Sequence, residues 1–549
     1  MMQECRVSKK AFEITEEDLA FYDKISPVFN GTKYSIPPPT LSPDERLRRR
    51  WTFRNERSLY NNRCAKTGRA VVAMFPPSLP VTIYDQDVWW DKNWDGTEYG
   101  RDFDLTKSFF EQFASLLRAI PHPNLLNDAP SNKNSDYVNC TISLKDCYMI
   151  FDAGNSEDCY YSNIIGYSKN CIDCTAVVGC EISYDLVGST KCYNSTLLID
   201  CENCRDSAFL YACKSCNDCF GCYNLRHKQY CWNNEQLTKE EFEKRKAALD
   251  LSNYDTYQKT RTEFLEFIKA APREYAFLMH CENCTGNVIA HSHNNHASFD
   301  SNDNEDSKYT IATRQIRDSY DIQHTYNAEL SLEIMAATNI YRNFFSFYSI
   351  NSQDIFYSYL TANAKNCFGC AGLKNQEYCI LNKKYSKEEY ESLVPKIIEH
   401  MKARSEWGEF FPMPVSPHGY NETLAADYFP LNRTDAVAMG AYWNEYEAEP
   451  SSSSEAITCA VSGKLFRLTK QELQFYQEHK IPLPRTHPDV RYQERLKLRL
   501  PRKLWSRQCE CQEKGHNHVE RCIRNLETPY SPERSEKIFC EKCYQRLVS

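Results

Sequence analysis

From Lys145 the chain divides into rows of twelve residues without an insertion: KDCYMIFDAGNS, EDCYYSNIIGYS, KNCIDCTAVVGC, EISYDLVGSTKC, YNSTLLIDCENC, RDSAFLYACKSC, NDCFGCYNLRHK. The third column reads Cys147, Cys159, Cys171, Ser183, Ser195, Ser207 and Cys219, and the twelfth collects Cys180, Cys192, Cys204 and Cys216. A second set of rows starts at Glu305, with Ser307, Ser319 and Ser331 in its third column and Asn327, Asn339, Asn351, Asn363 and Asn375 stacked in another. Small residues recur at every third position. That interval is neither the 3.6 of an amphipathic helix nor the alternation of a half-buried strand. A chain that turns a corner every three residues, pointing one small side chain inwards each time, closes a narrow coil in twelve. Stacked coils hydrogen-bond rung to rung at roughly 4.8 Å. Buried hydroxyls then find partners in in-register ladders of Ser, Thr and Asn. A coil of twice that length fits the same period, so the width stays open.

The spacing resembles the 12-residue β-solenoid of beetle antifreeze proteins. The resemblance carries coil geometry alone, because the flat T-x-T face is missing and the first two columns are charged (KD, ED, RD). The fold class this predicts is mainly β with α: two tandem β-solenoids of 12-residue periodicity with helical caps, flanked by terminal modules. The segments 217–243 and 365–391 match each other without a gap. In both, CFGC closes the last full rung, and a hydroxyl (Thr238, Ser386) then precedes Glu at the third helical position, a helix-start signature. An open solenoid end exposes unpaired backbone groups, so these helices are expected to cover it. The first solenoid carries C-x-x-C at Cys171/Cys174, Cys201/Cys204, Cys213/Cys216 and Cys219/Cys222. Packed thiols, metal ligands and cross-coil disulfides all fit. The second solenoid keeps the rungs with few cysteines, which favours thiols acting as small hydrophobes.

A net charge of −8 excludes a polycation, so contact with nucleic acid needs a local basic patch. The N-terminal stretch MMQECRVSKKAFEITEEDL has no apolar signal core. No apolar run reaches membrane-spanning length. The expectation is a cytoplasmic protein without a membrane segment. There the 27 cysteines meet a reducing compartment, where metal binding or free thiols are favoured over a disulfide framework.

The two ends also match each other: 5–27 with 459–482, 36–64 with 481–509, and 81–90 with 536–545. These ends resemble the zinc-ribbon modules of a Cys-rich repeat family from bacterial environmental sequences. Its pattern is C-x-x-C, P-P-T-L-C-P-x-C-R-x-x-R-R, a second C-x-x-C, then V-Y-C-x-x-C-W. The resemblance extends through YGRDFDLTKSFFEQF (99–113) and YNETLAADYFPLNRTDAVAMGAYW (420–443). It implies structural zinc and brings no activity with it. Most ligand positions depart from the pattern: Cys5 with Ser8, Ser42 and Glu45; Cys64 with Thr67, Asp85 and Val88; Cys459 with Ser462, His487 and Val490. One thiolate in such company does not hold zinc, so these three sites read as metal-free. The last keeps the knuckle Cys540-Glu-Lys-Cys543, with Cys509, Cys511, His516, His518 and Cys522 to supply the other two ligands. A structural zinc ion is expected there.

Ser42–Arg63 carries seven arginines among Trp51, Phe53 and Tyr60, and 485–507 is also basic. Arg46, Arg48, Arg49, Arg50, Arg54 and Arg57 are therefore candidates for phosphate and base contact. The competing reading packs them against local acids. His291, His293, His296 and Asp300, with Cys281 and Cys284, suggest either a metal site or a polar solenoid start. No nucleophile–base set or phosphate loop is present. The expected domains are 1–130 (degenerate ribbon), 131–233 (first solenoid), 234–280 (cap), 281–383 (second solenoid), 384–457 (cap and linker) and 458–549 (zinc ribbon). Three functions follow. The first is a non-enzymatic scaffold for a protein partner. The second is a nucleic-acid- or ribosome-associated protein, and the third is a β-helix enzyme acting on carbohydrate.

Overall fold

The computed structural model describes residues 1–446, 456–513, 518 and 521–548. The Ser-rich linker at 447–455 and His516 lie outside the described residues. The chain is mixed α/β, and two large sheets of mainly parallel strands dominate it. One has eleven strands between Asn139 and Gln236, the other thirteen between Leu278 and Lys384. Beyond the first turn of the second sheet, where Leu278 faces Ile289, parallel partners are twelve residues apart: Phe151 opposite Asn163, Cys171 opposite Ser183, Leu198 opposite Leu210, Thr325 opposite Ala337. The neighbouring strand comes back after twelve residues.

The backbone accounts for the interval of three. Along the rows every third residue has a left-handed φ, as at Asp146 (55°), Met149 (53°), Asp152 (50°) and Asn155 (50°). Each is followed by a buried residue, here Cys147, Ile150, Ala153 and Ser156. Left-handed backbone costs most L-residues about 1–2 kcal/mol, and Asn and Asp least. The Asp and Asn of the second column (Asp146, Asp158, Asn170, Asp206, Asp218) therefore occupy corners. Asp146, Asp158 and Asn170 stand at successive repeats, as do Asp206 and Asp218.

The buried side chains also complete the hydrogen bonding. Ser331 donates to the Glu329 carbonyl at 2.9 Å and accepts the Asn343 amide at 3.2 Å. Ser319 does the same with Arg317 (2.7 Å) and Ser331 (3.0 Å). In the first sheet thiols take this part. Cys159 donates to the Glu157 carbonyl at 3.2 Å, and Cys180 accepts the Cys192 amide at 3.5 Å. All these cysteines are free. The asparagine column forms a ladder of its own. It lies on an exposed corner, where each side-chain amide donates to the next carbonyl oxygen at 3.0, 2.9, 3.3 and 3.1 Å from Asn327 to Asn375.

Thr238 and Ser386 start their helices as expected, each accepting the amide of the Glu three residues on. Each sheet finishes in a short antiparallel hairpin, Cys231–Trp232 with Glu235–Gln236 and Cys379–Ile380 with Lys383–Lys384. The helix that follows packs against that last turn, Phe242 6.0 Å from the Trp232 ring and Tyr390 5.7 Å from Tyr378. Helix Tyr254–Phe267 lies along the aromatic outer face, with Tyr257 and Phe264 against Phe209. The last turns of the second sheet are covered from the N-terminal segment. Asn382 donates to the Gly96 carbonyl at 2.8 Å, and the Arg101 amide to Leu381 at 3.1 Å. The approach is so close that a Cβ on Gly96 would stand 2.6 Å from the Gly372 carbonyl oxygen, which requires glycine there.

Each sheet belongs to its own compact unit, assembled from separate pieces of chain. Met1–Asn124, Ala276–Tyr446 and Arg502–Leu504 make the second-sheet unit. The described parts of Leu125–Tyr275, Glu447–Pro501 and Trp505–Ser549 make the first-sheet unit. Among the described residues no helix is long and apolar enough to cross a membrane.

Candidate metal centre

In the first-sheet unit the strands Trp505–Gln508 and Asn525–Thr528 form an antiparallel hairpin. Its open end carries the pairing on, from the Cys509 amide to the Arg524 carbonyl (2.9 Å) and from the Cys522 amide to the Cys511 carbonyl (3.0 Å). Cys509, Cys511 and Cys522 thus leave the hairpin together. Strand Ile538–Phe539, paired with Arg273–Glu274, delivers Cys540 to the start of helix Glu541–Val548, whose first turn carries Cys543. Glu510 joins the two parts: its amide donates to the Ile538 carbonyl and its carboxylate accepts the Ile538 amide, at 2.9 and 2.8 Å.

Cys509, Cys522, Cys540 and Cys543 come together, with their sulfurs within 4.8 Å of one another. Cys509, Cys540 and Cys543 are buried, and Cys522 is half-buried. The Cys540 amide donates to the Cys509 sulfur at 3.2 Å. Burial works against a thiolate at Cys540, but the Cys543 amide and the surrounding thiols outweigh it and lower its pKa. Burial pushes Cys509 up to about 11. Four sulfurs that converge in a buried pocket, with a backbone amide aimed at one of them, suit a tetrahedral thiolate-bound ion. Sequence alone left the partners of Cys540 and Cys543 open, and the structure selects Cys509 and Cys522. Cys511 and His518 fall in a second group with Cys543.

The three degenerate sites have the same construction. Cys5, Cys64 and Cys459 each sit on a tight turn, with amides donating to Lys10, Arg69 and Lys464 carbonyls at 2.9 Å. Each faces a helix start, at Ser42, Asp85 and His487. Here backbone amides and hydroxyls stand where further ligands would. At Cys5 burial is outweighed by hydrogen bonds from Ser42 and Ser8, which bring the thiol down to about 7. At Cys459 burial is likewise outweighed by Ser462 and His487, again to about 7.

The arginine stretch is turned mostly inwards. Arg46, Arg49, Arg50 and Arg54 are buried, and Arg48 and Arg57 half-buried. Helix Pro43–Trp51 turns its guanidinium groups onto the second sheet. Arg46 and Arg50 reach Asp321 at 2.9 and 2.7 Å. Arg49 and Arg50 reach Glu333 at 3.1 and 2.7 Å, and Arg49 also reaches Glu409 at 2.7 Å. Three arginines meet three carboxylates, with Gln323 accepting from Arg50. Burial pushes the Asp321 pKa up, but Arg46 and Arg50 outweigh it and hold it below the usual carboxylate value. Arg48 pairs with Glu45 and Arg54 with Glu56. Asp321 and Glu333 belong to the second sheet, Glu409 follows helix Lys387–Ala403, and Glu45 and Glu56 are local acids.

The matching C-terminal stretch does the same within its own unit. Arg491 and Arg495 pair with Asp173, the residue at the position in the first sheet that matches Asp321. Arg46 lies 5.0 Å over the Tyr309 ring, and Arg491 lies 4.8 Å over Tyr161. The basic stretches are clamps that fasten each terminal module to a sheet.

Of the other candidates, Cys281, His291 and His293 line one groove, while Asp300 and His296 have partners elsewhere. Asp300 pairs with Arg502 at 2.8 Å, and His296 bonds Asn294 at 3.0 Å. Cys281 and Cys284 donate to backbone carbonyls. In that shallow groove the structure adds residues the sequence did not flag, His280, Glu282, Asp303 and Glu305, with the His280 and His291 rings stacked at 5.1 Å. A scan of the chain against protein-family models and a search of curated proteins both find no match.

Proposed function

We propose that the chain is a non-enzymatic binding scaffold of the cytoplasm. Two β-solenoids of twelve-residue coils are each clamped by a zinc-ribbon-like terminal module, and the C-terminal module holds a structural zinc ion. The register of twelve and the left-handed corner at every third residue support the solenoid. The all-sulfur donor set at Cys509, Cys522, Cys540 and Cys543 supports zinc, which such closed sites favour.

One observation carries the scaffold reading. On the second sheet Tyr326, Thr338 and Ile350 stand in register, beside the asparagine ladder. Tyr326 is 57% and Ile350 36% exposed. Aromatic and aliphatic groups fixed at rung spacing, next to amides already ordered by one another, form a surface that loses little entropy on docking. Its occupant is a protein partner. A photo-crosslinking residue at position 350, used in the native host, is expected to yield one saturable protein adduct. Tyr326→Glu should abolish that adduct with the far-UV spectrum unchanged. Nuclease-sensitive adducts, or only unsaturable ones, would overturn the reading.

A further inference from the structure

One tetrahedral ion uses four sulfurs, yet the hairpin end and the helix start gather five thiols and an imidazole. The surplus is not scattered. Cys511, His518 and Cys543 form a group of their own, with ligand atoms within 4.8 Å of one another. Cys543 belongs to both groups. Cys511 is fully buried and packs in the same cluster as Cys509, Cys540 and Cys543. A thiol so placed among other thiols must either stay protonated beside a thiolate cluster or give its charge to a metal.

We propose that this module binds two divalent ions of the zinc class that share the Cys543 sulfur. Cys509, Cys522, Cys540 and Cys543 close around the first. Cys511 and His518 hold the second together with Cys543, whose sulfur bridges the pair. The second ion has three protein ligands and keeps one position for water or an outside ligand, the arrangement of an exchangeable site. Charge favours it. Four thiolates around one dication leave two surplus negative charges in a buried pocket. A second dication, arriving with one more thiolate and a neutral imidazole, leaves one. Smaller uncompensated charge in a buried site means a smaller desolvation penalty. This inference rests on the metal reading of the first site.

The test is an ion count on the full chain, purified anaerobically, by elemental analysis and native mass spectrometry with zinc as the only added metal. Two ions per chain are expected. His518→Ala, and Cys511→Ser combined with it, should each reduce the count to one. Stepwise cobalt loading should show tetrahedral thiolate bands at the first equivalent. The second equivalent should weaken the paramagnetic signal, because sulfur-bridged ions couple. One ion in the unsubstituted chain overturns the second site and leaves the first standing. Two ions surviving in the double variant overturn the assignment of Cys511 and His518. No ion at all overturns both.

Discussion

Arg50 shows how much a single side chain can carry in this protein. It is fully buried, and its guanidinium serves Asp321, Glu333 and Gln323 at once. Removing it leaves two carboxylates short of a partner, a loss that typically costs about 3–5 kcal/mol. Arg50→Ala is expected to lower the urea midpoint of the second-sheet unit by that order. Arg63→Ala, at an exposed position, should change it by less than about 0.5 kcal/mol. His122 sets the acid limit of the same unit. It is buried between the Leu117 carbonyl (2.9 Å), the Tyr359 hydroxyl (3.3 Å) and the Phe75 ring (5.1 Å). Burial drives its pKa down to about 4. His418, stacked on Phe75 at 5.0 Å, is lowered by burial to about 3. Both folded values lie below the free-histidine value, so the unfolded chain takes up the proton first. The stabilisation is whole above about pH 6.5 and is lost as pH falls through about 4. For His122 alone this is on the order of 3 kcal/mol. Urea titrations at stepped pH should show the midpoint falling across this window, with a shallower slope in His122→Phe.

At the level of the rung, the interval of three is a rule about the backbone as much as about volume. Val288 holds φ at 56° with its side chain 45% exposed. A β-branched residue is poorly suited to that corner, and asparagine is well suited. Val288→Asn is expected to stabilise by about 1 kcal/mol, read as a rise in the thermal midpoint. Much of this layer was legible beforehand. The period of twelve, the buried small columns and the helix starts at Thr238 and Ser386 all follow from spacing and residue type. The corners were also written in the sequence, as Asp and Asn in the second column, but a charged column reads equally well as a solvated stripe. The asparagine column was legible as a stack, and the structure adds that it runs along an exposed corner. Cys522 could not be singled out by spacing. It joins Cys509 only through the hairpin register that sets Gln508 opposite Asn525. The arginine clamps were hidden for a similar reason: Asp321 and Glu333 are far away in sequence, and a run of arginines does not name its partners.

Over the whole molecule, duplication explains more than any single site. The same clamp, two arginines on one sheet aspartate with one ring beneath, occurs once in each unit. Cys509, Cys522, Cys540 and Cys543 converge, whereas Cys5, Cys64 and Cys459 each sit on a turn facing a helix start, with backbone amides and hydroxyls as their partners. The order of the pieces has a consequence during synthesis. The N-terminal module leaves the ribosome first, but the acids that receive its arginines lie beyond residue 320. The first sheet emerges before the Arg491 and Arg495 that grip it. At translation rates of about 5–20 residues per second, each half waits on the order of ten seconds or more with its docking face bare. A nascent chain stalled near residue 275 would hold part of both units and the whole of neither. Each half is therefore expected to need chaperone cover until its clamp arrives.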